Sequence, residues 1–212
     1  MFDRKILGIK IKDYLIFFGS ILFIAILNSI LRPYLYQLSL DLIMQIQTAG
    51  RDPYVFAFFN TVKKLGSSYF IYGVLVLIYI FKERALAFHY TLIISFMMFF
   101  LCFMKMLIRY PRPYQYMAEI IPTSCSGQYG CPSATSIRVS TMMISLFLDF
   151  VYSERKRISS TSYWAQLIMT AFCVISVMCS RVYLAAHSIN QVIFGGVIGL
   201  EISLFLHFSI KP

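Results

Sequence analysis

Leu86-Ala87-Phe88-His89-Tyr90-Thr91-Leu92-Ile93-Ile94-Ser95-Phe96-Met97-Met98-Phe99-Phe100-Leu101-Cys102-Phe103-Met104 contains no acidic or basic residue beyond a neutral histidine, and then meets Lys105. At about 1.5 Å per residue, a helix of this length crosses the ~30 Å of hydrocarbon in a bilayer. Comparable stretches occur at about residues 14–31, 66–81, 133–152, 163–180 and 188–208. In the fourth, Ser, Thr and Arg138 dilute the apolar run. The chain is 59% hydrophobic, 17% aromatic and 13% charged, which excludes an ordinary soluble domain. The reading is all-α: a polytopic membrane protein with a bundle of six transmembrane helices.

Short connections and the lack of repeats or low-complexity tracts make residues 1–212 a single membrane domain. It comprises an N-terminal basic segment at 1–13, six spans, and interfacial helices expected at about 34–64. The first apolar run is long and lacks a small-residue cleavage site, so it is expected to stay as a span.

The formal net charge is +10. Arg4, Lys5, Lys10, Lys12, Lys82, Arg84, Arg155, Lys156, Arg157 and Lys211 fall on one side of a six-span bundle. Fewer free cations, Arg32, Arg51, Lys63, Lys64 and Arg109, fall on the other. The positive-inside rule then places both termini in the cytosol or matrix. The face holding Lys105 and Arg181 is lumenal or intermembrane, in the endoplasmic reticulum or the mitochondrial inner membrane. This charge is topological signal plus an anion site and a surface suited to anionic lipid. It does not indicate nucleic acid.

Cys102, Cys173 and Cys179 lie in spans and read as packing residues, while Cys125 and Cys131 are close enough in sequence to bridge. The three histidines are isolated and no Cys-x-x-Cys pair occurs, so neither a metal nor another cofactor is expected.

Three segments at span ends carry chemistry. Lys105-x6-Arg112-Pro113 closes the third span, its two cations about two helical turns apart, with Pro111 and Pro113 stopping the helix. Cys131-Pro132-Ser133-Ala134-Thr135 opens the fourth, where unpaired N–H groups suit an anion. Ser180-Arg181-x5-His187-x3-Gln191 joins the last two, with His187 and Gln191 one turn apart. Each alone reads as a snorkelling lysine, a helix cap or a capping histidine. Together they set three cations beside one nucleophile, as phosphoryl transfer requires, because negative charge spreads over the non-bridging oxygens.

In order, spacing and position, these segments resemble the type 2 phosphatidic acid phosphatase superfamily. Its members carry Lys-x6-Arg-Pro, Pro-Ser-Gly-His and Ser-Arg-x5-His-x3-Asp. The third segment, from Ser180 to Gln191, looks most like the glucose-6-phosphatase branch, which also has Gln in place of Asp. The chain lacks that enzyme's extra C-terminal helices. The resemblance implies that Lys105, Arg112 and Arg181 hold phosphate oxygens and that Ser133 and the adjacent backbone N–H add donors. His187 would be the nucleophile, forming a phosphohistidine, and Gln191 would orient it.

Two positions depart from the pattern. Thr135 stands where the family has the histidine that protonates the leaving alkoxide, and losing a general acid costs about 10²–10⁴ in rate. His89 and His207 are roughly 24–30 Å from the motif by helical rise and cannot substitute. Tyr110 and Tyr183 are near the mouth and are weak donors. Ala134 replaces glycine and adds a methyl where backbone should approach phosphate.

Two functional classes follow. The first is an accessory or structural subunit of a membrane assembly, catalytically impaired, which keeps the anion pocket, binds a phosphate or phospholipid headgroup, and contacts membrane lipids and membrane-protein partners. The alternative is an active, metal-independent phosphomonoesterase on a lipid phosphate or sugar phosphate. The missing acid favours the first. A transporter has little support; the intramembrane acids Asp149 and Glu201 are instead expected as partners for Arg138 or a neighbouring chain.

Overall fold

A computed structural model describes residues 5–6, 9–153 and 159–210. Arg4, Arg155, Lys156, Arg157 and Lys211, on which part of the expected orientation rests, lie outside the described residues. Apart from a two-residue antiparallel pairing of Lys5–Ile6 with Ile9–Lys10, the described structure is helical. The helices are α1 (Ile11–Thr48), α2 (Pro53–Val62), α3 (Ser68–Phe81), α4 (Arg84–Ile108), the short α5 (Pro113–Tyr116), α6 (Ala134–Ser153), α7 (Ser160–Tyr183) and α8 (Ile189–Ile210). A 3₁₀ turn, Lys63–Gly66, links α2 to α3.

Five of these helices are long and apolar enough to span a membrane, and α2 with α3, bent by 53°, supplies a sixth crossing if taken as one broken span. The protein is an integral membrane protein with the expected all-helical architecture. Two boundaries differ from the sequence reading. Residues 34–48, expected as a separate interfacial stretch, continue α1 through Pro33 without a break. Proline falls inside an apolar helix whose neighbouring turns hold it. The 38-residue helix is about 57 Å long, well beyond a perpendicular crossing. The second span begins at Ser68, where Ser67 accepts a hydrogen bond from Phe70 N at 3.2 Å and caps α3.

Large apolar side chains such as Ile16, Leu22, Phe23, Phe99 and Ile168 face outward, as a lipid-bathed bundle requires. The interior is densest between α6 and α8. A Cβ on Gly195 would lie 2.8 Å from the Ser133 carbonyl oxygen, and one on Gly199 would lie 2.7 Å from that of Ile137. The Gly195-x3-Gly199 spacing therefore lets the two backbones meet. Hydroxyls line the same seam. Ser203 donates to the carbonyls of Thr141 at 2.9 Å and Gly199 at 3.0 Å, and Ser145 Oγ lies 3.3 Å from Ser203 Oγ. The serines and threonines that dilute the fourth apolar run thus belong to the most intimate helix contact, where Ser145 and Ser203 pair away from lipid and Ser140 Oγ is buried without a partner among the described residues.

The intramembrane acids have partners other than those expected. Asp149 accepts from Tyr90 Oη at 2.9 Å and pairs with His207 at 3.3 Å. Glu201 accepts from Ser20 Oγ at 3.0 Å. Arg138 instead donates to Ser68 Oγ and, at 3.1 Å, to the Ala134 carbonyl. Asp149 is eleven residues along α6 from Arg138, about 16 Å by helical rise, too far to pair with it.

Candidate phosphate site

The end of α4, the starts of α6 and α8, and the end of α7 converge on one face. Lys105 occupies the last turn of α4 and is buried at 8% exposure. Arg109 caps that helix in the left-handed region at φ 46°, turning the chain so that Arg112 comes back over the site. Arg112, 6% exposed, donates from Nε to the Gln128 carbonyl at 3.0 Å and from Nη1 to the Ala186 carbonyl at 3.3 Å. Lys105 Nζ donates to Gln128 Oε1 at 3.0 Å. Gln128, absent from the sequence-derived site, thus meets both cations from the loop before α6.

Helix α7 ends by wrapping the chain tightly. Ala186 N and His187 N both donate to the Arg181 carbonyl, at 3.0 and 3.2 Å, with Ala185 at φ 56°. Left-handed alanine costs roughly 1 kcal/mol, and here it carries His187 back over Arg181. His187 is 1% exposed, with Nδ1 3.1 Å from Gln191 Oε1 and Nε2 3.3 Å from Arg112 Nη1. Burial, then the neighbouring Arg112 and Arg181, hold its pKa well below the usual histidine range despite the opposing contact with Gln191. The imidazole is therefore neutral.

Arg181 Nε is buried and unbonded among the described residues. It lies within electrostatic reach of Arg112 and Arg138, and Lys105 is within reach of the same two. Among the described residues none of these four cations pairs with a carboxylate. Such a concentration of positive charge, buried at Lys105 and Arg112 and half-buried at Arg138 and Arg181, is stable when an anion joins it.

The start of α6 departs from the arrangement expected of it. Ser133 N donates to the Gln191 carbonyl at 3.0 Å, and Ser133 Oγ accepts from Ser136 N at 3.4 Å and from its hydroxyl at 3.0 Å. Ser133 therefore caps its own helix and ties α6 to α8. Ala134 packs against the apolar core. Thr135 is half-buried, its methyl group against Gly66 of the 3₁₀ turn, closely enough to leave no room there for a Cβ. The structure brings Lys105, Arg112, Arg181, His187 and Gln191 together; Thr135 faces the turn. Arg138, one helical turn beyond Ala134, joins the cations, which the dispersed sequence motif did not reveal.

Cys125 and Cys131 are both free thiols, so the bridge their spacing permits is not formed. Cys131 is fully buried, with its pKa pushed up to about 12 by burial, whereas Cys125 is exposed.

Fold and site together define a helical membrane protein with a cluster of cations around a buried histidine. A family model described as the PAP2 superfamily matches residues 84–211, more than half of the chain. The chain belongs to the PAP2 superfamily. It is similar to a solved structure, the crystal structure of the first transmembrane PAP2-type phosphatidylglycerolphosphate phosphatase from Bacillus subtilis. The TM-score is 0.70 and the identity 21%, over 90% of this chain and 94% of that one. At that identity the likeness establishes the fold. Comparison with curated protein sequences gave no match.

Proposed function

We propose that this PAP2-fold membrane protein holds a phosphoryl headgroup in its cationic pocket and turns it over poorly, serving as an accessory or structural subunit of a membrane assembly. The carrying observation is the buried Arg181 Nε, unpartnered among the described residues beside Lys105 and Arg112. A phosphate oxygen completes such a guanidinium at little geometric cost. Lys105, Arg112 and Arg181 bind the anion, and the α6 start, through Ser133 and Ala134, positions α6 against α8 beside it. Thr135 in place of the general acid limits turnover. The third motif, with its Gln191, supports a position nearest the glucose-6-phosphatase branch. Membrane lipids and membrane-protein partners surround the protein in the endoplasmic reticulum or mitochondrial inner membrane, with the motif face lumenal or intermembrane.

A second reading, a metal-independent phosphomonoesterase acting through phosphohistidine, is favoured by one observation. Gln191 accepts from Nδ1–H and so puts the lone pair of His187 on Nε2, where Arg112 Nη1 donates to it at 3.3 Å and must swing to a phosphate oxygen before attack. Phosphate release from a lipid phosphate and a sugar phosphate separates the two. The accessory reading expects no release by wild type and loss of phosphate binding in Arg181→Ala. Release by wild type that is abolished in His187→Ala overturns it in favour of the enzyme. Retained phosphate binding in Arg181→Ala overturns the pocket assignment.

A further inference from the structure

Glu201 lies near the middle of α8, about 18 Å by helical rise from the helix start that adjoins the phosphate site. An ionisable side chain at that depth ordinarily faces the bundle interior or pairs with another. Asp149 follows this rule, held by Tyr90 and His207. Glu201 does not. It is half-buried at the wall of an open groove of about 280 Å³ between the start of α1 and the second half of α8. Its side-chain donor among the described residues is Ser20, whose single hydroxyl proton is shared with the Phe17 carbonyl at 2.8 Å. A carboxylate offers about four lone-pair sites, so most of its accepting capacity is left over.

Asp13 lines the same groove seven residues before Ser20, about 10 Å nearer the start of α1. Neither acid pairs with a basic group among the described residues. The rest of the lining is mainly apolar. Phe17 and Phe205 stack at 4.5 Å, and Ile16 and Phe208 are 68% and 56% exposed.

We propose that this groove docks a transmembrane helix of another protein, which sets a lysine or arginine beside Glu201 and a second basic residue about two turns away beside Asp13. Side chains seven residues apart return to one face of a helix, so a single partner helix lying along α1 and α8 meets both acids. A second copy of this chain does not fit, because the basic residues in the body of its long helices are committed elsewhere: Arg32 covers Tyr110, and Lys105, Arg138 and Arg181 cluster at the phosphate site. The inference goes beyond the phosphate reading and does not depend on it; it supplies a surface by which the protein joins a membrane assembly.

Energy transfer in phosphatidylcholine vesicles tests this, between the reconstituted full-length protein and a poly-leucine transmembrane peptide carrying lysine at its centre and again seven residues toward one end. The all-leucine peptide is the control, and oriented circular dichroism certifies that both peptides span. Wild type is expected to associate about fivefold more strongly with the lysine peptide, the size of one polar contact between helices in a bilayer. Glu201→Gln, which keeps an acceptor for Ser20, should abolish that preference and Asp13→Asn should reduce it, with phosphate affinity unchanged in both. Ile16→Trp, which fills the groove and leaves both acids in place, should weaken association with both peptides. Equal association of wild type with the two peptides, or a preference that survives Glu201→Gln, overturns the proposal. So does self-association of the chain that Ile16→Trp disrupts, which assigns the groove to a second copy. If Glu201→Gln loses phosphate binding as well, Ile16→Trp decides: undiminished peptide association in that variant overturns the surface.

Discussion

Gln191 holds His187 and the Arg112 segment at once: its Oε1 lies 3.1 Å from His187 Nδ1, while its Nε2 donates to the Pro111 carbonyl at 2.7 Å. The Pro111 contact fixes which end of the amide faces the ring, and thereby the imidazole tautomer. A carboxylate at this position, as in the family's Asp, cannot donate to Pro111. Gln191→Glu keeps the length but sets two acceptors face to face in a fully buried place. It should destabilise the protein by about 2–4 kcal/mol, read as a lowered midpoint of unfolding in detergent, without raising phosphate release. A gain in activity with unchanged stability would contradict the clamp.

Acid should loosen the fold through His187. Its pKa is lowered in the folded protein, whereas the unfolded value is about 6.5, so below that pH the unfolded chain binds the extra proton. Stability is therefore expected to fall as pH drops from about 6.5 toward the folded pKa, and to flatten in His187→Gln. A bound anion favours imidazolium, so sulfate, which does not titrate in this range, should bind more tightly as pH falls. A flat sulfate profile in wild type would sink the coupling.

The seam between α6 and α8 should tolerate no side chain at Gly199. A Cβ there would meet the Ile137 carbonyl oxygen at 2.7 Å and Thr141 N at 3.0 Å. Gly199→Val is expected to cost about 1–3 kcal/mol and to weaken phosphate binding as well, since Ser133 and His187 lie just before the starts of these two helices. Thermal unfolding and anion titration of one preparation check both.

Maleimide should label Cys125 rapidly in the folded protein and leave Cys131 unmodified until denaturation. The first thiol is exposed; the second is buried with its thiolate suppressed. Protection of Cys125 that reductant reverses would reveal a bridge.

Much of this arrangement is legible in the residues. The uncharged run 86–104 and the proline-bounded Lys105 to Arg112 spacing identify the helix and the end of it that bears the site. The span from Ser180 to Gln191 places a histidine one turn from its orienting amide. What spacing hides is tertiary. Nothing local shows that Gln128, sixteen residues beyond Arg112 by way of an irregular loop, would meet two cations. The loop is fixed by Tyr114, whose hydroxyl grips Ser126 from both sides. Arg138 reads as dilution of an apolar span until the fold sets it beside Lys105. The continuous α1 was obscured because Pro33 signals a break that the helix does not make.

The hydroxyl-rich face of α6 also bears on how the protein is made. Helix α6 has the lowest hydropathy of the five long spans, 1.4, and its seam partner α8 follows it in synthesis, after α7. A nascent chain therefore releases α6 into the bilayer before Ser203 and the glycines of α8 exist to receive it. Until then its serines and threonines must bond to their own backbone or to whatever insertion machinery retains the helix. The arrival of α8 completes the seam and delivers His187's orienting amide in the same stroke. A chain cut before Ile189 would therefore lose its closest helix contact and its site together, leaving α6 with α7 but without the seam.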